Sequence, residues 1–164
     1  MKLNLCTVTN HKFLVNSVNL IKSFFNFVPN GTVYLYVFGD GIPRDLISHM
    51  PDGDIIITEI PNVCNHIYEP LVFTYKAYAL KNCIDQCSGL LIYSDSTHCF
   101  VKDPSRIQED ITEDFLLLPY TDPRLINKFW TTKQCFIKMD ALSASEKPQY
   151  WAGFQAYKKS KETQ

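Results

Sequence analysis

Gly89-Leu90-Leu91-Ile92-Tyr93-Ser94-Asp95-Ser96-Thr97-His98-Cys99-Phe100 decides the fold. Its apolar run follows a segment of helical periodicity and ends in a small, acidic, hydroxylated tripeptide. That is the pattern of a buried strand delivering polar side chains to the rim of a sheet. In open α/β sheets the carboxyl ends of the strands face the crevice where ligands bind. Asp95, with no cationic neighbour in sequence, is placed there to hold a divalent metal or a sugar hydroxyl. The tripeptide also reads as a plain strand-ending turn, since Asp and Ser bond their own backbone.

Immediately upstream, Leu71 to Gln86 reads as a helix, with Phe73, Ala77, Leu80, Ile84 and Cys87 as the buried stripe and Lys81, Asn82 and Asp85 pointing away. Lys76 falls at the edge of that stripe, where a long cationic side chain either snorkels to water or reaches an anion such as a phosphate. Pro61 to Pro70 has no period and reads as a crevice-side loop. Its His66 is either a general base or plain surface.

Farther back, Leu3 to Thr9 predicts a strand that presents Thr7, Thr9 and Asn10 at its end. Leu14, Val18, Ile21 and Phe25, widened by Leu20 and Phe24, mark a helix stopped by Pro29-Asn30-Gly31. Thr32 to Phe38 is a second strand, ending in Gly39-Asp40-Gly41 with another carboxylate. Strand, helix, strand implies parallel pairing through a right-handed crossover. A short helix, Arg44 to His49, then precedes a third strand from Asp54 to Ile60, whose Ile55-Ile56-Ile57 suggests burial on both faces.

Downstream, Phe100 to Pro104 is extended, Phe115 to Tyr120 reads as a strand, and Thr132 to Met139 as a helix. Gln149-Tyr150-Trp151-Ala152-Gly153-Phe154 sets small residues among aromatics, which permits close backbone approach to a ligand at Gly153 or marks a bulge. The tail from Lys158 to Gln164 is charged and expected to fray.

The balance of 16 Lys+Arg against 17 Asp+Glu in 164 residues gives no basic excess for nucleic acid or an anionic membrane. No apolar run approaches the length of a membrane span, and the N-terminus lacks a signal-peptide pattern, so a soluble, cytoplasmic chain is expected. The six cysteines are scattered in apolar patterns, as reduced core thiols are. Cys83 and Cys87 share a helix face but have no partner pair at zinc spacing. Nine Tyr, eleven Phe and two Trp serve stacking or core filling alike. A Gly-rich phosphate loop, a Gly-x-Ser-x-Gly elbow and a His-Glu-x-x-His helix are all absent from the sequence.

Taken together, the first strand and long helix, Phe73-Thr74-Tyr75-Lys76-Ala77-Tyr78-Ala79-Leu80 one helix before an apolar strand, and Leu91-Ile92-Tyr93-Ser94-Asp95-Ser96-Thr97 resemble the GT-A fold glycosyltransferases that use nucleotide sugars. Thr132-Lys133-Gln134-Cys135-Phe136 and Gln149 to Phe154 are similar to the acceptor-side segment of those enzymes. The resemblance implies an α/β fold: one Rossmann-like three-layer domain over residues 1–164 with a mostly parallel sheet, short of a C-terminal portion such enzymes carry. It implies transfer of a sugar from a nucleoside diphosphate sugar such as a UDP-sugar to a hydroxyl of a glycan, protein or small-molecule acceptor. Asp95 would be the catalytic-site acid, facing the ribose or a Mn²⁺ or Mg²⁺ ion, with Thr97 at the second position of the Asp-x-Asp-like motif. Thr7 and Asn10 would lie by the nucleobase, and Lys76, Ser96 and Thr97 would complete the donor site. Thr97 stands where the family has a second Asp, and a hydroxyl is a weaker ligand for a hard cation. The alternative is therefore a non-catalytic nucleotide- or glycan-binding module with a degenerate metal site. Asp122, Asp140 and Glu146 are unranked candidates for a catalytic base.

Overall fold

The computed structural model describes residues 1–39, 41–42, 44–68, 73–111, 114–122 and 124–158, without the side chains of Arg44 and Leu46. Asp40 and Glu69, the expected start of a helix at Leu71, Pro123 and most of the charged tail lie outside the described residues. Among the described residues six strands, β1 (Leu3–Thr9), β2 (Thr32–Val37), β3 (Asp54–Glu59), β4 (Leu90–Ser94), β5 (Phe115–Pro119) and β6 (Tyr150–Lys158), form one sheet in the order β3-β2-β1-β4-β6-β5. The first four run parallel, and β6 is antiparallel to both β4 and β5. This is the mostly parallel sheet expected.

The β-branched and aromatic runs of β1, β2 and β4 are buried throughout, as central parallel strands must be when helices cover both faces. Side chains alternate between two cores. Leu3, Leu5, Val33, Leu35, Leu90 and Ile92 face α1 (Leu14–Phe27), whose Val18, Leu20, Ile21 and Phe24 fill that layer. Cys6, Val8, Tyr34, Tyr36, Leu91 and Tyr93 face α3 (Thr74–Gln86). The result is three layers, helix on sheet on helix. Short helices α2 (Arg44–His49), α4 (Ile107–Asp110) and α5 (Lys133–Lys138) decorate the connections. Thr132 caps α5 by accepting the Cys135 N–H. No helix among the described residues is long and apolar enough to cross a membrane.

Three expectations need correcting. α3 buries Tyr75, Ala79 and Cys83, whereas Ala77 and Phe73 are exposed. Small side chains at 79 and 83 let the helix lie close to the sheet, and the larger Leu80 and Ile84 flank the contact. Asn82 does not point away but accepts a bond from the Tyr36 hydroxyl at 2.8 Å. The Ile55-Ile56-Ile57 run is an edge strand, with Ile56 40% exposed, because among the described residues β3 ends the strand order on that side. Finally, the stretch from Gln149, read only as small residues among aromatics or a bulge, is mostly a strand: β6 inserts between β4 and β5, with a register shift between Leu117 and Pro119.

All six cysteines are free thiols, and Cys83 is held protonated, chiefly by its hydrogen bond with Cys6 and further by burial. At the starts of β2 and β3, in register, the Thr32 hydroxyl donates to Asp54 at 2.6 Å and Lys2 lies 3.5 Å away. The hydroxyl first, and Lys2 after it, hold the Asp54 carboxyl below its ordinary range against a small opposing effect of burial. A depressed folded pKa stabilises the fold above the unfolded value and is lost as pH falls through the folded one. Thr32→Val is therefore expected to cost about 1 kcal/mol or less at pH 7, since Asp54 is largely exposed. That part of the cost starts to fade near pH 4 and is gone only below the depressed folded value, as denaturant melts at neutral and at strongly acidic pH will show.

Candidate functional site

From β1 the chain moves outward to β2 and β3, then returns across the sheet to β4 on the other side of β1. The switch point lies between the carboxyl ends of β1 and β4, where an open α/β sheet leaves a crevice. Asn10 follows the end of β1 and Asp95 follows the end of β4. Both line a half-open cleft there of about 170 Å³, smaller than the ~300–1,000 Å³ usual for enclosed small-molecule sites. Lys76, Ser96 and Thr97 line it too, with the phenols of Tyr75 and Tyr93. Five of the six residues proposed from sequence are thus brought together.

Thr7 is not. Its place in the alternation of β1 turns it toward the α1 layer, fully buried, while the cleft opens on the α3 side beside Val8. Its hydroxyl has no hydrogen-bond partner among the described residues. On the same side Ser17 bonds the Thr9 hydroxyl at 3.1 Å, which ties α1 to β1. Asn10 accepts the Lys12 N–H at 3.0 Å and so starts the turn His11–Phe13 that leads into α1.

Asp95 is held from four directions. Its N–H donates to the Gly153 carbonyl at 2.8 Å, and its carbonyl accepts the His98 N–H at 3.1 Å, closing the turn after β4. Its Oδ1 accepts from the Tyr93 hydroxyl at 2.8 Å. The Lys76 ammonium lies 2.7 Å from Oδ1 and 3.0 Å from Oδ2. This pair is partly buried, 18% of the Lys76 side chain and 31% of Asp95 being exposed. Burial, then the Asp95 charge, pushes the Tyr93 hydroxyl far above its usual range, and the same causes raise Tyr75. Both phenols therefore stay protonated, and Tyr93 remains a donor.

Aromatic residues build the cleft walls. Phe38 stacks on Tyr75 with ring centroids 4.2 Å apart and planes 11° from parallel. Phe13 and Phe73 line the same cleft with exposed ring surface. Phe73 takes the left-handed conformation, φ 57°, which costs a non-glycine residue about 1 kcal/mol or more. In that pose its ring centroid is 4.9 Å from the Lys76 ammonium, with Tyr93 at 5.9 Å on the other count. Sequence periodicity does not reveal these walls. The available signal is position: Phe13 and Phe38 follow the carboxyl ends of β1 and β2.

Beneath Asp95, Gly153 sits where a side chain has no room. A Cβ there would lie 3.0 Å from Asp95 Oδ2, 2.8 Å from Trp151 Nε1 and 3.1 Å from His98 Cε1. His98 in turn bonds Ser94 through Nδ1 at 3.1 Å and meets the Trp151 ring edge-on at 4.9 Å. The remaining candidates lie outside the cleft lining. His66 is 3.7 Å from the Cys64 sulfur, Asp122 pairs with Arg124, Glu146 pairs with Lys128, and Asp140 has a left-handed backbone.

A hard divalent cation wants several oxygen ligands with charge to match its own. Among the described residues Asp95 is the cleft's one carboxylate, and an ammonium already rests on it. Ser96 and Thr97 add only neutral oxygens, and no trio of His, Cys, Asp and Glu is grouped to hold an ion. The donor set around Asp95 does not fit a metal.

No protein-family model matches the chain, and no curated protein matches it in sequence. Solved structures do match. Core-mannan synthase A from Aspergillus fumigatus, in its Mn/GDP form, superposes with a TM-score of 0.56 at 9% identity over 96% of this chain and 59% of its own. The galactosyltransferase LgtC, in complex with donor and acceptor sugar analogues, gives 0.57 at 17% identity over 98% and 59%. The bifunctional glycosyltransferase WbbM gives 0.60 at 10% identity over 96% and 31%. The chain thus spans about three fifths or less of the length of these glycosyltransferases. Its sheet order, its cleft at the β1–β4 switch and these likenesses together identify its fold as GT-A, the fold of the glycosyltransferases it matches.

Proposed function

We propose that the cleft binds a nucleoside diphosphate sugar and that the chain carries the donor-binding part of a glycosyltransferase acting on a hydroxyl acceptor. The observation that supports this reading is the meeting of Asn10, Lys76, Asp95, Ser96 and Thr97 with aromatic walls at the topological switch point. Each part of such a donor has a chemical counterpart. The exposed faces of Phe13 and Phe73 suit a nucleobase, and the Lys76 ammonium suits a phosphate oxygen. Asp95 and the hydroxyls of Ser96 and Thr97 suit ribose or sugar hydroxyls. A diphosphate leaving group develops charge as the sugar departs, and a cation fixed in a half-buried cleft stabilises that charge more than water does.

One observation favours a second reading, a binding module without turnover. The described lining holds no carboxylate or imidazole besides Asp95, whose charge is engaged by Lys76, so no residue there stands ready as a base. A melting-temperature panel with UDP, GDP and CMP tests both readings. At a hundred times its Kd a diphosphate is expected to add about 2.7 kcal/mol, or roughly 5–10 °C for a chain of this size. If neither UDP nor GDP shifts the melt, both readings fail. If one does, hydrolysis or transfer from the matching nucleotide sugar separates transferase from module.

A further inference from the structure

We infer that this cleft takes its diphosphate without a divalent cation, Lys76 supplying the positive charge and Asp95 serving as the counter-ion that the diphosphate displaces. The inference rests on the nucleotide-binding reading above and concerns how that ligand's charge is met. The ammonium lies within 3.0 Å of both oxygens of the single described carboxylate in the lining. An ion placed on those oxygens would have to evict it and then sit beside it, against like-charge repulsion in a partly buried site. Oδ1 is engaged a second time by the Tyr93 hydroxyl, which burial keeps protonated. That oxygen is already saturated by donors.

The lysine is also held as a ligand-binding group would be. Its ammonium lies against the rings of Phe73 and Tyr93, and Phe73 reaches it by adopting a strained backbone. An ammonium has three N–H donors, and two contacts to Asp95 leave one for a phosphate oxygen. With the cleft empty, Asp95 offsets the cost of keeping Lys76 charged in a site 18% exposed. A diphosphate entering the cleft competes with that carboxylate for the same cation. Two substitutions are thereby driven in opposite directions, an outcome a metal-holding Asp95 does not give.

The test is calorimetric titration of UDP and GDP into the whole chain, in EDTA and in Mn²⁺. Binding is expected in EDTA, and no tighter in Mn²⁺. Lys76→Met is expected to weaken it about 10- to 100-fold, the scale of one charge-assisted hydrogen bond. Asp95→Asn frees the ammonium and is expected to tighten binding about threefold, the scale of a partly exposed ion pair. Because Lys76→Met strands a half-buried carboxylate, the double variant Lys76→Met with Asp95→Asn provides a neutral, foldable control, expected to bind as weakly as Lys76→Met. Binding seen only with Mn²⁺, or abolished by Asp95→Asn, overturns the inference and leaves the nucleotide reading standing. Failure of UDP and GDP to bind in either buffer overturns both.

Discussion

Gly89→Ala should cost at least about 3 kcal/mol, a fall in melting temperature of roughly 6–12 °C, although the methyl is added at the surface end of a strand. Gly89 has φ +90°, outside the regions L-residues favour, and a Cβ there would lie 2.3 Å from the Lys2 carbonyl oxygen. That oxygen is backbone, and it accepts the Leu90 N–H at 3.0 Å in the first link between β4 and β1. The methyl cannot be relieved by a rotamer change. Either β4 shifts along β1 or its first bond breaks, and the cleft depends on that pairing because Asn10 and Asp95 stand at the far ends of these two strands. Gly39→Ala separates the contributions: Gly39 has φ +97° with nothing within 4 Å of a Cβ, so only backbone strain of about 1–2 kcal/mol is expected. Equal losses for the two variants, read from denaturant melts, would show that the close approach of β4 to Lys2 is not a constraint of the native fold.

That glycine also marks how far local sequence carried the fold. In β1, β2 and β4 each residue is buried whichever way it faces, so continuous apolar runs were legible as central strands, and α1 was legible because Val18, Ile21 and Phe24 recur at helical spacing. Periodicity misjudged α3 because what its core demands is smallness at Ala79 and Cys83, which hydropathy ranks below Leu80 and Ile84. It misjudged β3 because a triplet of isoleucines reads alike at an edge and at a centre, and only the strand order distinguishes them. β6 was hidden by Gly153 and by Gln155, residues with little strand preference whose places are fixed by pairing with β4 and β5. In the site, Asp95 was visible from its position after an apolar run. The alternatives left open for Lys76 were resolved by tertiary packing, which sets residues 76 and 95 against each other across the α3–β4 connection.

Gly153→Val is expected to destabilise the chain by about 3 kcal/mol and to take apart the Lys76–Asp95 pair, although Gly153 does not itself line the cleft. β6 is paired with β4 up to Phe154 and bonded to the Asp95 N–H at Gly153, so the new side chain must displace Asp95 Oδ2, Trp151 Nε1 and His98 Cε1, all within 3.1 Å of its Cβ. Trp151 and His98 are side chains near the sheet's end and can turn aside. The Asp95 carboxylate cannot do so without leaving Lys76 and the buried Tyr93 hydroxyl, and an unpaired buried hydroxyl costs about 1–3 kcal/mol. Asp95→Ala removes the obstructing group, so the loss caused by Gly153→Val should be smaller in that background, with a coupling of about 1 kcal/mol or more. Additive losses across the four proteins of this cycle would mean that Gly153 is small for the sake of Trp151 or His98, and that the carboxylate owes its position to Lys76 and Tyr93 alone.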